Sequence, residues 1–300
     1  MSATTTGIES RSAPLRTRAR VISNEPDGRG RTLRLAVPGW PGAIPGQFLM
    51  LGPGAEAGVA RRDPLLPRPM AVYRDLGVVS GAAEPSIEVL YRVVGRGTTL
   101  ISEAQPGQSI PLVGPLGRGF PVAPGPGLAL LVGGGTGIAS LYELARALLR
   151  AGRPVLVLLG ARSQDDLIGR RDFEALDLEL VCATEDGSHG VAGRVTEPLA
   201  ERLRRAVGEA SGASRAGIEV FAVGPTPMMR ACAGIAAELG VRCLVSLENP
   251  MACGFGVCLG CAAPRAEGGF SLVCRAGPVF DAREIAWEGL QVRPRATGTR

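Results

Sequence analysis

Apolar residues in the first third of the chain fall in short alternating runs. They are TLRLAV (Thr32 to Val37), QFLML (Gln47 to Leu51), PMAVY (Pro69 to Tyr73), SIEVLYRVV (Ser86 to Val94) and SIPLVGP (Ser109 to Pro115). A period of two puts one face of each run into a core, and the Gly and Pro residues between runs turn the chain back. From Leu15 to about Val122 this pattern predicts a small antiparallel β-barrel. After Gly127 the rhythm becomes strand, turn, helix. LALLVGG reads as a strand and IASLYELARALLRAG as a helix with a glycine stop; PVLVLLGAR, LELVCATED and EVFAVGP read as further strands, and TPMMRACAGIAAELG as a second helix. Such alternation implies a parallel sheet covered on both faces. The stretch Glu201 to Gly217 predicts a helix followed by a Gly/Ser/Ala loop. The expected architecture is a two-domain α+β chain. A lead without structure (1–14) precedes an antiparallel β-barrel (15–123), a Rossmann-like parallel α/β domain (124–245), a cysteine-bearing segment (246–285) and a polar tail (286–300).

Length and composition agree with this division. The 300 residues suffice for about two domains, and 43 Gly and 24 Pro call for many turns. The formal charge of +5 is carried by dispersed arginines: Arg11, Arg16, Arg18 and Arg20 near the start, Arg202, Arg204 and Arg205 within a predicted helix. No aromatic-interleaved basic stripe accompanies them, so no nucleic-acid partner is expected. The N-terminus shows no basic-plus-apolar leader, and the longest apolar run, Leu128 to Gly135, is a strand entering a glycine turn. A soluble, cytoplasmic protein without a membrane segment is expected.

Four of the seven cysteines carry the clearest chemistry. Cys253, Cys258, Cys261 and Cys274 are spaced C-x4-C-x2-C-x12-C. Three thiolates in a tight loop and a fourth from further along form the plant-type arrangement for a 2Fe–2S cluster. Gly254, Gly256 and Gly260 allow the backbone angles of such a loop and let N–H groups approach anionic sulfur. Structural zinc is the competing reading, but it favours paired C-x2-C knuckles, and only one such pair is present. Cys182, Cys232 and Cys243 lie in apolar surroundings and read as small buried side chains.

Two further sets of residues point to nucleotides. Gly133-Gly134-Gly135-Thr136-Gly137 stands where a strand gives way to a helix, a place suited to a pyrophosphate. It departs from G-x-G-x-x-G, since Ile138 occupies the last glycine position. Gly224-Pro225 also ends a strand, and ligands of parallel sheets bind along that carboxyl edge. In the barrel, Arg68 opens a strand and could fork onto phosphate oxygens. Tyr91-Arg92, the Gly95-Arg96-Gly97-Thr98 entry to a helix, and Gly114 to Phe120 follow; taken alone, these are ordinary strand and turn residues.

In combination they are diagnostic. The order R-P-x-x at Arg68, Y-R-V-V-G-x-G-T at Tyr91, G-P-L-G-x-G-F at Gly114, G-G-G-T-G-I at Gly133, G-P-x-P-M at Gly224 and the four cysteines resembles the ferredoxin–NADP reductase superfamily. Within it, the match is to the electron transfer subunits of the NAD-dependent dihydroorotate dehydrogenases. The resemblance spans about 15–285 and is most specific from Ser246 to Gly254 and from Val273 to Phe280. It implies FAD at the junction of barrel and sheet, with Arg68 on its phosphates and Pro69, Met70, Ala71 and Val72 lining the isoalloxazine. Tyr91, Arg92, Gly97 and Thr98 would hold its ribityl chain and pyrophosphate. NAD would lie across Gly133, Gly134, Gly135, Thr136 and Gly137, near Gly224 and Pro225. Glu248 would neighbour the flavin or the cluster, and the four cysteines would hold 2Fe–2S.

The implied partner is an FMN-containing catalytic subunit that oxidises dihydroorotate to orotate in pyrimidine synthesis, in a two-plus-two heterotetramer. Electrons would pass from FMN through 2Fe–2S to FAD and leave as hydride to NAD+. No acid–base residue is assigned, and the single histidine, His189, reads as a loop residue. Three positions depart from the family pattern: Ala71 replaces a Ser or Thr, Val223 a Cys, and Ala276 an Asp. A flavin reductase of the same fold serving another redox partner is the alternative. The choice between NAD and NADP stays open, because Arg162-Ser163 and Asp165-Asp166 both follow the second strand of the parallel domain.

Overall fold

The computed structural model describes residues 13–53, 66–78 and 83–290. Most of the expected lead and the last ten residues of the expected tail lie outside the described residues.

Seven strands form the first sheet: β1 (Leu15–Asp27), β2 (Gly30–Ala36), β3 (Phe48–Leu51), β4 (Arg68–Ala71), β5 (Arg74–Val78), β6 (Pro85–Tyr91) and β7 (Ser109–Leu116). Their order is β4-β3-β7-β1-β2-β6-β5, antiparallel throughout. The two edge strands are consecutive in the chain, so the sheet curls on itself. Val72 N–H donates to the Gln47 carbonyl at 3.2 Å on one edge, and Tyr73 N–H to that of Glu88 at 2.9 Å on the other. Inward residues at alternate positions, among them Leu33, Leu35, Leu49, Leu51, Ile87 and Val89, fill the barrel. A short helix, α1 (Arg96–Ser102), contributes buried Ile101 to the same core.

The second sheet runs β11-β10-β9-β8-β12-β13 in parallel. It comprises β8 (Ala129–Gly134), β9 (Val155–Ala161), β10 (Glu179–Thr184), β11 (Val191–Ala192), β12 (Glu219–Val223) and β13 (Arg242–Ser246). Its strands read VLVLLGA or EVFAV because both faces are covered. The covering helices include α2 (Tyr142–Arg150), α3 (Arg170–Glu174), α4 (Thr196–Glu209), α5 (Gly212–Ala216) and α6 (Thr226–Glu238). Two local expectations are corrected. The segment Gly135–Ser140 is a 3-10 turn, and the helix expected from Ile138 begins at Tyr142. The loop expected before Gly217 contains α5.

The cysteine-bearing segment adds a two-stranded ribbon, β14 (Ala262–Pro264) with β15 (Phe270–Leu272), and the short helix α7 (Val273–Ala276). Its last strand, β16 (Val279–Asp281), joins the parallel sheet antiparallel to β13. Beyond it, a 3-10 turn at Trp287–Gly289 leads to buried Leu290, so the first residues of the expected tail are packed.

Barrel and sheet meet along a charged, hydrogen-bonded seam. Arg29 N–H donates to the Asp165 carbonyl at 2.9 Å, and Gly169 N–H to Asp27 Oδ2 at 2.8 Å. Arg92 reaches Asp166 at 2.9 Å, and the Tyr73 hydroxyl donates to Asp172 at 2.5 Å. No helix among the described residues is long and apolar enough to cross a membrane.

Candidate functional site

The barrel end of the site is built on β4. Arg68 to Ala71 are half-buried there, hydrogen-bonded along β3. A Cβ placed on Gly97 would lie 2.3 Å from Arg68 Nε, so the missing side chain at the start of α1 is what admits the guanidinium. Buried Thr98 closes this helix start, its Oγ1 accepting from Val94 N–H at 2.9 Å and Gly95 N–H at 3.2 Å. Arg68, Gly97 and Thr98 are therefore brought together, as a phosphate cradle requires. Other predicted members lie elsewhere. Val72 is in the barrel core. Tyr91 is buried, its hydroxyl donating to Asn24 Oδ1 at 2.9 Å, with burial raising its pKa. Arg92 turns to Asp166 across the seam.

The nucleotide end follows from adjacent strands β8 and β12. A Cβ on Gly137 would fall 2.4 Å from the Val223 carbonyl oxygen, and one on Gly134 would fall 2.5 Å from Met228 Sδ. The Gly133–Gly137 turn and Gly224-Pro225 thus close on each other with no room for a side chain. Gly135 has φ +56° and opens outward, which leaves Thr136 and the neighbouring N–H groups at the carboxyl edge. Beside it, at the ends of β9 and β10, lies a cavity of about 440 Å³ lined by Arg29, Arg162, Ser163, Asp166, Glu185 and Asp186. Sequence reasoning did not single out Arg29, Glu185 or Asp186, because strand ends become one site only when the strands pair. Half-buried His189 lies in the adjoining loop, its carbonyl accepting from the Thr184 hydroxyl at 2.8 Å.

The four predicted cysteines share one loop region. Buried Cys261 and Cys274 have sulfurs 3.2 Å apart, Cys253 is half-buried and Cys258 is exposed. Among the described residues no three His, Cys, Asp or Glu side chains converge closely enough to grip a metal ion. The donor chemistry fits a thiolate-held cluster all the same. Burial opposes ionisation of Cys253, but N–H groups of Cys258, Phe255 and Val257 and the Cys258 thiol outweigh it, bringing the pKa to about 6. Cys274, buried beside Cys261, is pushed up to about 12. Gly254 and Gly256 adopt φ of +82° and +89° and Leu259 +58°, the turns by which the loop wraps its interior. Asn249 Nδ2 donates to the Ala262 carbonyl at 3.0 Å and closes the loop's base. Exposed Glu248 stands on the link leading in. Cys182, Cys232 and Cys243 are buried, and burial raises all three pKa values.

The cluster loop rests on the barrel. A Cβ on Gly254 would lie 2.5 Å from Met50 Cγ, and Met50 is the β3 residue paired with Pro69 of β4.

Comparison with known proteins agrees with this geometry. Residues 248–286 match the iron–sulfur cluster binding domain of dihydroorotate dehydrogenase B, and residues 131–234 the oxidoreductase NAD-binding domain. The chain is 38% identical over 245 residues to the electron transfer subunit of dihydroorotate dehydrogenase B (NAD(+)) of Geobacillus kaustophilus, covering 80% of this chain and 86% of the relative. The Desulforamulus reducens subunit of the same name is 35% identical over 253 residues, covering 82% and 88%. Among solved structures, the NADH-dependent reduced ferredoxin-NADP oxidoreductase superposes with a TM-score of 0.74 at 31% identity, over 90% of each chain. The ferredoxin reductase of carbazole 1,9a-dioxygenase, at TM-score 0.61 and 23% identity over 77% of this chain and 68% of that one, shares the fold. Identity at this level across nearly the whole of these relatives settles the kinship: the chain belongs to the electron transfer subunits of dihydroorotate dehydrogenase B.

Proposed function

We propose that this chain carries electrons from a dihydroorotate-oxidising partner to NAD+, using a 2Fe–2S cluster on Cys253, Cys258, Cys261 and Cys274 and an FAD on the barrel. The observation that carries the reading is the stacking of Gly254 on Met50, one strand away from β4. It sets the cluster loop against the strand whose Arg68, Pro69, Met70 and Ala71 would hold the flavin. A flavin exchanges electrons singly with an iron–sulfur centre and in pairs, as hydride, with a nicotinamide, so it belongs between the two.

The chain's own residues supply position and exclusion. Arg68, with Gly97 and Thr98, would grip the flavin phosphates, and the Gly133–Gly137 and Gly224-Pro225 turns would receive the nicotinamide nucleotide. Ala71 offers no hydroxyl, so hydrogen bonding at the flavin ring would come from backbone groups or water. In this reading 15–123 is the FAD domain, 124–245 the NAD domain and 246–285 the cluster segment. Phe255, Val257 and Leu259 are exposed around Cys258, and Phe270 on β15 is exposed as well. Apolar side chains displayed beside a redox centre support docking of an FMN-containing catalytic subunit, in a cytoplasmic two-plus-two heterotetramer.

The test is purification of the tagged chain from its native host, followed by anaerobic assay of dihydroorotate-dependent NAD+ reduction. Activity in the complex but not in the isolated chain is the expected result. A complex that oxidises NADH but never dihydroorotate would assign the chain to another redox partner.

A further inference from the structure

Alternate residues of β3 serve opposite sides of the strand. Leu49 and Leu51 belong to the barrel core, whereas Phe48 and Met50, with Leu116 of β7, belong to the buried cluster that also contains Cys261 and Cys274. Residues directly opposite one another in an antiparallel pair share a face. Phe48 pairs with Ala71 and Met50 with Pro69. The outward face of β3 therefore continues the face on which β4 presents two residues that would line the flavin.

The cysteine-bearing segment meets this face at two points, one at each end of its cysteine set. Beside Cys253, a Cβ on Gly254 would fall 2.5 Å from Met50 Cγ, 2.9 Å from its Sδ and 3.2 Å from Leu116 Cδ1. Beyond Cys274, the Gly277 carbonyl accepts from Arg118 N–H at 2.5 Å. There a Cβ on Gly117 would fall 2.7 Å from that carbonyl oxygen and 2.9 Å from Phe48 Cε1. Glycine at each contact lets segment and barrel approach to backbone distance. Phe48, Met50 and Leu116 are all buried and give water no strong hydrogen-bonding partner.

We propose that Met50 is the positioning residue of electron exchange. Seated under Gly254, it fixes the separation of cluster and flavin and, with Phe48 and Leu116, keeps water out of the space between them. This rests on the reading of the four cysteines as the cluster site and of β4 as the flavin strand. In the exchange one electron leaves the reduced flavin and one ferric iron of the cluster becomes ferrous, or the reverse. No bond between the two centres forms or breaks, so the length and polarity of the gap are what the chain can set.

The test uses the full chain purified with both cofactors, reduced by NADH and followed in stopped flow at flavin and iron–sulfur wavelengths. Gly254→Ala drives the loop off Met50. It should slow cluster reduction, relative to flavin reduction in the same variant, by about tenfold or more. Adding Met50→Ala vacates the space and should recover most of this loss, although the φ of +82° at position 254 still strains an alanine.

A second measurement reads the cluster's reduction potential. Met50→Gln sets an amide in the gap and should raise the potential, because polar groups stabilise the added negative charge. Met50→Leu should leave it in place. Ile87→Val, a change in the barrel core, should lower the melting temperature without moving it. If Gly254→Ala does not retain its cluster, the potential of Met50→Gln decides alone. Undiminished transfer in Gly254→Ala, no rescue by Met50→Ala, or an unmoved potential in Met50→Gln overturns the role of Met50. A wild-type chain that holds no cluster, or whose cluster NADH never reduces, overturns the underlying reading of the cofactor sites instead.

Discussion

The Tyr73 hydroxyl donates to Asp172 Oδ2 at 2.5 Å, joining the strand link that closes the barrel to helix α3 of the parallel domain. Tyr73 is fully buried, its ring 5.2 Å from that of Tyr142, and Arg74 reaches the same carboxylate at 3.3 Å. Burial, reinforced by Asp172, raises the Tyr73 pKa far above its ordinary value and keeps the hydroxyl a donor. Replacing Tyr73 with Phe should cost about 1–2 kcal/mol. A fall in melting temperature of a few degrees would follow, with a larger fractional loss in NADH-driven flavin reduction as the two domains lose their register. A variant that melts and turns over like the wild type would show that this bond does not set domain geometry.

Arg68 needs the space that Gly97 leaves. In Gly97→Ala the new Cβ would fall 2.3 Å from Nε, and the guanidinium must move off the start of α1. Loss of one charge-assisted contact predicts FAD binding weaker by about tenfold or more. Fluorescence titration of the deflavinated protein reads this directly; equal affinity would place the flavin phosphates elsewhere.

Cys258 is the exposed member of the cysteine set, so Cys258→Ser should fold normally. We expect the iron–sulfur absorbance to vanish while flavin content and NADH–dye reductase activity persist. Cys261 and Cys274 are buried, and their replacement should disturb packing as well. Retention of a full cluster in Cys258→Ser would exclude this residue as a ligand.

Asp281 predicts a specific acid response. Hydrogen bonds from Arg283, then from Arg242, hold its pKa down to about 2 against partial burial, below the ordinary 3.8. A depressed carboxylate stabilises the fold above its unfolded pKa, and that contribution disappears as pH falls from about 4 to 2. The loss should be on the order of 1–2 kcal/mol. Asp281→Asn should flatten the stability profile across this window in urea titrations, and an unchanged slope there would assign the acid sensitivity to other groups.

Much of the fold was legible because its signals are local. Alternation marked β2, β3 and β6, and strand–helix rhythm marked β8, β9, β10 and β12. Strand β1 went unnamed because its outward positions are arginines, whose charge hides the inward Ala19 and Val21. Strand β13 was hidden next to the cysteine segment, and β16 is only three residues long, with its place set by pairing to Leu244, Val245 and Ser246. The site divides in the same way. Arg68 and Gly97 could be matched to a motif, whereas Arg92 could not be read as the partner of Asp166.

By itself, the sequence determined the thiol spacing, the glycine turns and the alternation of strands and helices. Each is a property of a few consecutive residues and is imposed by backbone geometry and side-chain period. Tertiary structure alone decided that Arg92 and Arg29 occupy Asp166, that Glu185 and Asp186 face the cavity, and that Gly254 lies on Met50. Those relationships join residues tens to hundreds of positions apart. They exist only once barrel and sheet have docked, because the charge and close packing that define them depend on distance in space.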